Sequence, residues 1–185
     1  MVRTVHIVVA ITGSSGVRYG VRLLERLEGE KDLVVSRTGI DLLRHEMSLS
    51  LEDLHHLVSR TFDDSDLFAP LSSGSHPFDA MVIVPCSESS LAKIASGISD
   101  TLITRTAAVC LKEGRRLILV PRESPVSAIM LENELKLARL GVTILPASPG
   151  FYPAPQSIDD MVDFVVGKIL DQLGQPNALF RRWGT

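Results

Sequence analysis

The sequence predicts an α/β fold: one domain of three layers, with an open parallel sheet carrying helices on both faces. Two observations predict it. Five short apolar runs, Val5–Ile11, Leu33–Val35, Ala80–Val84, Leu117–Val120 and Val142–Leu145, alternate with stretches of helical periodicity, the pattern of parallel βα units. Each run also ends in hydroxyl, proline or charged residues: Thr12-Gly13-Ser14-Ser15-Gly16, Ser36-Arg37-Thr38-Gly39, Pro85-Cys86-Ser87, Pro121-Arg122-Glu123 and Pro146-Ala147-Ser148-Pro149-Gly150. Ligands of open parallel sheets bind outside the carboxyl ends of the strands. The polar chemistry of this chain is therefore concentrated where a binding crevice belongs.

The elements follow in order. The first run feeds a strand-to-helix turn, and Val17, Val21, Leu24 and Leu27 give the next helix one apolar face, with Gly29 stopping it. Residues 38–58 hold one or two helices. Residues 60–78, rich in Ser, Asp and Pro, lack clear periodicity and read either as a mobile lid or as a long crossover. Ser87 caps a helix running to about Ser96, and a second helix begins near Ser99 or Asp100 and ends before Gly114. Ser124-Pro125 reads as an N-cap followed by proline at the first helical position, with Gly141 closing that helix. Ser157-Ile158-Asp159-Asp160 has capping-box spacing, which assigns Asp159 and Asp160 to a helix start. The tail 174–185 contains the only tryptophan, Trp183, an odd place for it unless something covers it.

Size and composition narrow the function. At 185 residues the chain can bury a substantial core as one unit. With 19 basic and 22 acidic residues the net charge is −3, and beyond the Arg181-Arg182 pair no stretch concentrates basic residues, so no nucleic-acid partner is expected. No apolar run approaches the ~18 residues that span a bilayer. Arg3 followed by Val5–Ile11 has the look of a signal peptide, but the run passes into a turn without a small-x-small cleavage pattern and reads as a buried strand. Two cysteines, Cys86 and Cys110, make neither a disulfide framework nor a zinc site. They read as buried apolar groups in a reduced, cytoplasmic protein.

The turn at 12–16 offers glycines for a tight bend and hydroxyls and amides for an anion, or else is a bare helix cap. Ser36 repeats that chemistry after the second run, raising the anion-site reading. Ser36 and Arg37 stand where a dinucleotide site carries an acid, so a mononucleotide fits better. Arg122 and Glu123, held between Pro121 and Pro125, read as site residues more than as a surface ion pair. Lys168 flanks the apolar stripe Ile158, Met161, Val162, Val165 and Ile169. It either snorkels toward a crevice or serves the helix C-terminus. The five histidines show no metal-ligand spacing, and no nucleophile elbow is present.

Taken together, these segments resemble the flavin prenyltransferase family of UbiX type over essentially the whole chain. The resemblance rests on TGSSGVRYG at 12–20, Ser36, SSGS at 72–75, AMVIVPCS at 80–87 and SLAKIASGISDTLITR at 90–105. LKEGRRLILVPRESP at 111–125, LEN at 131–133, the long block LPASPGFYPAPQSIDDMVDFVVGKIL at 145–170 and a late RWG complete it. It implies a flavodoxin-like or Rossmann-like sheet that alkylates reduced FMN with dimethylallyl phosphate, bridging flavin N5 and C6, to serve UbiD-type decarboxylases. By motif match, Gly13, Ser14, Ser15, Ser36, Ser87, Ser90 and Arg122 would contact FMN, and Tyr152, Lys168, Arg105 and Lys112 would hold the prenyl phosphate. Glu46 and Glu123 match acids near the reacting groups, and Glu123 with Ser15 would form a proton relay. No metal is implied. The resemblance also implies a homododecamer with sites shared between subunits, in which a neighbour covers Trp183 and the tail.

Departures from the family pattern are Leu67 (often aromatic), Glu88 (often Met or Thr), Asp100 (often Asn), Thr106 (often Ala) and Ser90 (usually Thr). A flavin-dependent cysteine decarboxylase would carry an Asn where PCSESS places Ser89. A flavin carrier without chemistry would have no use for Glu123, Tyr152 and Lys168.

Overall fold

The computed structural model describes residues 4–184; Arg3 and Thr185 lie outside the described residues. Six strands, β1 (His6–Ile11), β2 (Glu30–Val35), β3 (Arg60–Asp63), β4 (Ala80–Cys86), β5 (Arg116–Pro121) and β6 (Thr143–Ile144), form one sheet. The order is β3-β2-β1-β4-β5-β6, and every neighbouring pair is parallel. This is the doubly wound order, whose switch point falls between β1 and β4. Among the described residues no helix is long and apolar enough to cross a membrane.

The helices are α1 (Val17–Arg26), α2 (Arg37–Met47), α3 (Glu88–Ala95), α4 (Leu102–Glu113), α5 (Ala128–Arg139) and α6 (Ile158–Leu173). Successive strand side chains point to opposite faces, so β1 supplies two cores at once. Ile7, Val9 and Ile11 pack with Val17 and Leu24 of α1 and Val166 of α6, while Val8 and Ala10 pack with Leu91, Ile103 and Leu137 of the other helix layer. Covered on both faces, the central strands read as unbroken apolar runs.

The strand that the sequence does not reveal is β3, inside the segment 60–78. Its residues Arg-Thr-Phe-Asp carry little apolar signal because an ion pair secures this edge. In register with Arg60, Asp32 of β2 is fully buried. Arg60 Nε donates to Asp32 Oδ1 at 2.9 Å and Nη2 to Oδ2 at 2.9 Å, with His6 Nε2 2.9 Å from Oδ2. The rest of the segment is a packed crossover and not a lid, since Ala69, Leu71 and Phe78 are buried in the core.

Helix starts differ from expectation at two places. The helix expected to begin with Ser124-Pro125 begins after Ser127, whose Oγ accepts from Met130 N at 3.2 Å. The cap expected at Ser99 or Asp100 is Thr101, in a reciprocal capping box with Thr104. In both cases the later hydroxyl is the one within reach of the third helical amide. Ser87 and Ser157 cap α3 and α6 as expected.

Thr12 joins the two strands that flank the switch point. Fully buried, it donates to Pro85 O at 2.9 Å and accepts from Ser87 N at 2.8 Å. Thr12→Val keeps the shape and strands both partners, so urea denaturation is expected to show a loss of about 1–3 kcal/mol. Burial pushes both thiols, Cys86 and Cys110, up to about 12 from 9.0. The raised value makes their contribution to stability complete below pH 9 and lost as pH climbs toward 12. Neither thiol of the folded protein should react with iodoacetamide at pH 8, while both react in urea; fast native labelling would contradict their burial.

Candidate functional site

Four of the helices, α1 to α4, begin around one spot at the carboxyl edge of the sheet. The turn after β1 packs so closely that a Cβ on Gly13 would lie 2.7 Å from Thr38 Cβ. Gly16 caps α1 with φ +100° and has no side chain to satisfy the first amides. Glu46 of α2 does so instead, accepting from Gly16 N at 2.9 Å and Val17 N at 3.2 Å. Ser36 caps α2 through Gly39 N at 3.1 Å. Ser87 caps α3 through Ser90 N at 3.3 Å and donates to Ser90 Oγ at 3.0 Å. Thr101 caps α4.

These termini surround a cavity of about 520 Å3 lined by Gly13, Ser14, Ser15, Ser36, Ser87, Ser90, Arg122 and Glu123. Larger recesses elsewhere lie at the β3 edge and at the amino ends of the strands; this one has the convergent amides. Helix N-termini carry partial positive charge and free N–H groups, so their meeting point favours an anion. Arg122 is fixed there from two sides: Ser14 Oγ donates to its carbonyl at 2.8 Å, and its Nε donates to Ser15 O at 3.2 Å. Its charge opposes the burial that pushes Tyr19 upward. Lys93 also lines the cavity but is tied to Asp100 at 2.7 Å. Asp64 accepts from Ile103 N at 2.9 Å, and burial still pushes its carboxyl above the usual range.

One chain therefore gathers the expected FMN contacts and Glu123, and keeps the other expected residues apart. Glu46 is engaged by the α1 amides. Arg105 Nε donates to Ser72 O at 2.9 Å. Lys112 pairs with Glu113 at 3.0 Å beside a small apolar recess formed with Ile98 and Ala108. Tyr152 stands edge-on to Phe164 at 5.7 Å and to Trp183 at 5.2 Å. Lys168 lies 3.7 Å from Asp171. Sequence reasoning missed Thr38, Asp64 and Lys93 as lining residues. Thr38 carried a signal, two residues past the Ser36 cap; Asp64 and Lys93 sit on segments whose direction only the fold sets.

One group of potential metal ligands, His6, Asp32 and His76, occurs among the described residues. His6 opens β1, Asp32 lies in β2 and His76 precedes β4, and Arg60 already takes both Asp32 oxygens.

A polar, cation-bearing cavity at the switch point defines a nucleotide-binding α/β protein, and its volume suits a ligand the size of a mononucleotide. Residues 1–170 match the family model described as Flavoprotein. Flavin prenyltransferase UbiX of Thermoplasma acidophilum is 54% identical over 179 residues, covering 96% of this chain and 99% of that protein. The crystal structure of AnUbiX (PadA1) in complex with FMN and dimethylallyl pyrophosphate superposes with a TM-score of 0.96 at 41% identity, covering 99% of both chains. A dodecameric FMN-dependent UbiX-like decarboxylase from Escherichia coli O157:H7 gives 0.94 at 41% identity, covering 97% of this chain and 100% of that one. The chain belongs to the Flavoprotein family, in its UbiX flavin prenyltransferase branch.

Gly13→Ala drives a methyl into Thr38, whose Cβ and Cγ2 stand 2.7 and 2.8 Å away. Flavin fluorescence titration should show FMN affinity falling about tenfold or more, a loss of about 1.4 kcal/mol, with part restored by adding Thr38→Gly.

Proposed function

We propose that this protein is a flavin prenyltransferase that transfers a dimethylallyl group from dimethylallyl phosphate to N5 and C6 of reduced FMN. The observation that carries this reading is the cavity in which Gly13, Ser14, Ser15, Ser36, Ser87, Ser90 and Arg122 meet. The hydroxyls and helix amides bind the flavin phosphate and ring edge, and Arg122 supplies the fixed cation. Reduced FMN, the acceptor, supplies the two nucleophilic ring positions.

Tyr152 and Lys168, with Arg105 and Lys112, hold the donor phosphate. Breaking the allylic C–O bond leaves its electron pair on that phosphate, and fixed cations with a phenol donor stabilise the charge as it develops. The N5 proton is lost as the first bond forms; the second forms as the prenyl double bond takes a proton at its inner carbon and C6 bonds the outer one, releasing its own proton. Glu123, exposed at the rim with Oε1 accepting from Ser124 N at 3.0 Å, takes it through Ser15. Glu46 holds the Ser15–Gly16 turn through the α1 amides.

The donor groups lie outside the cavity of their own chain, which supports a site completed by neighbouring subunits of a homo-oligomer, a dodecamer. Phe68, Phe151, Ile129 and Trp183, exposed by 100, 71, 72 and 79%, give such an assembly apolar contact surface; the tail, expected to pack on a neighbour, folds back on α6 of its own chain through Asn177, Phe180 and Arg182 and offers a neighbour the exposed Trp183. The protein acts in the cytoplasm, and its product passes to a UbiD-type decarboxylase.

Anaerobic incubation with reduced FMN and dimethylallyl phosphate should yield a heavier flavin by mass spectrometry. Unchanged bound flavin, where a known prenyltransferase reacts, would make the protein a carrier. Lys168→Ala should raise the donor KM about tenfold and leave FMN affinity unaltered, since about 1.4 kcal/mol matches the loss of one charged hydrogen bond.

A further inference from the structure

The chain after α6 turns back along that helix. Asn177 Nδ2 donates to Gly167 O at 3.3 Å and to Asp171 Oδ1 at 3.0 Å. Phe180 fills the space over Gly167, where a Cβ would come within 2.6 Å of its ring. Arg182 stacks on Phe180 at 4.4 Å and closes on Asp171 with both arms, Nη1 to Oδ2 at 2.5 Å and Nη2 to Oδ1 at 2.8 Å. A two-armed guanidinium–carboxylate pair fixes direction as well as charge. These bonds hold the Asp171 carboxyl below the usual range.

Lys168, three residues back on the same helix, has Nζ 3.7 Å from Asp171 Oδ2, beyond hydrogen-bond reach, and its side chain is 45% exposed. Two cations thus share one carboxylate, and Arg182 takes both oxygens. The trio carries one net positive charge, and that charge is Lys168's. Without Arg182 the carboxylate would turn to Lys168 at i,i+3 spacing and neutralise it.

We propose that Arg182 is a positioning residue for the donor: by occupying Asp171 it keeps the Lys168 ammonium available to a phosphate dianion. This rests on the reading of Lys168 as a donor ligand. The tail, which also sets Trp183 against Tyr152, then governs donor binding without touching the flavin cavity.

The test is steady-state prenylation with dimethylallyl phosphate, alongside FMN titration, for Arg182→Gln, Asp171→Asn, their double variant and Lys168→Ala. Arg182→Gln should raise the donor KM about threefold to fivefold, the range of a partly exposed ion pair, with kcat and FMN affinity unchanged. Asp171→Asn should leave the donor KM unchanged or lower, and the double variant should return to within about twofold of Asp171→Asn. A tail that is only a tether would be loosened by either substitution. Equal KM increases in both single variants, with no recovery in the double, would overturn the proposal. So would a Lys168→Ala effect with no Arg182→Gln effect. If Lys168→Ala leaves the donor KM unchanged, the donor-ligand reading falls and the proposal with it.

Discussion

The structure depends on one edge of its sheet, where α1, α2, α3 and α4 all begin around the same cavity. Each terminus brings unpaired amides and partial positive charge, which would repel one another without an anion or capping oxygens between them. The chain answers with side chains: Ser36, Ser87 and Thr101 cap their own helices, and Glu46 reaches across from α2 to cap α1. What remains is a ring of small hydroxyls, with Arg122 anchored at two points. The capping that makes the helices stable also makes the site polar and pre-organised.

Several other charges of the chain are paired locally. Lys93 is held by Asp100, Lys112 by Glu113, and Asp171 by Arg182. Surface pairs of this kind add little stability, but they fix which cations can meet a ligand. Arg122 lines the cavity at the switch point, whereas Lys168 and Tyr152 stand on α6 and the loop before it. On the proposed reading, a single chain presents two half-sites, each incomplete for a reaction that joins two phosphorylated molecules. Phe68, Phe151 and Trp183 are exposed, apolar surface for the proposed assembly.

The central sheet was legible in the sequence because β1, β4 and β5 are buried on both faces and read as apolar runs. The cavity at the switch point was legible for a related reason: the residues after each strand must cap a helix, and capping hydroxyls leave a visible pattern. Edge strand β3 was hidden because Arg60 and Asp32 secure it by charge. The start of α5 was misplaced because Ser124 and Ser127 both look like caps, and only the path after Pro121 decides between them. Tyr152 and Lys168 were named from family likeness, and no spacing rule places α6 relative to the cavity. Arg182 drew attention only as half of a small basic pair; its bond to Asp171 spans 11 residues and a reversal of the chain.

Mixing subunits tests the central claim, that two half-sites on different chains make one active site, most directly. On the proposed reading, Gly13→Ala impairs the flavin half and Lys168→Ala the donor half. Co-assembled from equal amounts of the two variants, oligomers should recover prenylation well above either variant alone, because some interfaces pair two intact halves. Activity no greater than the average of the separate variants, in oligomers shown to be mixed, would place both halves on one chain and contradict the account.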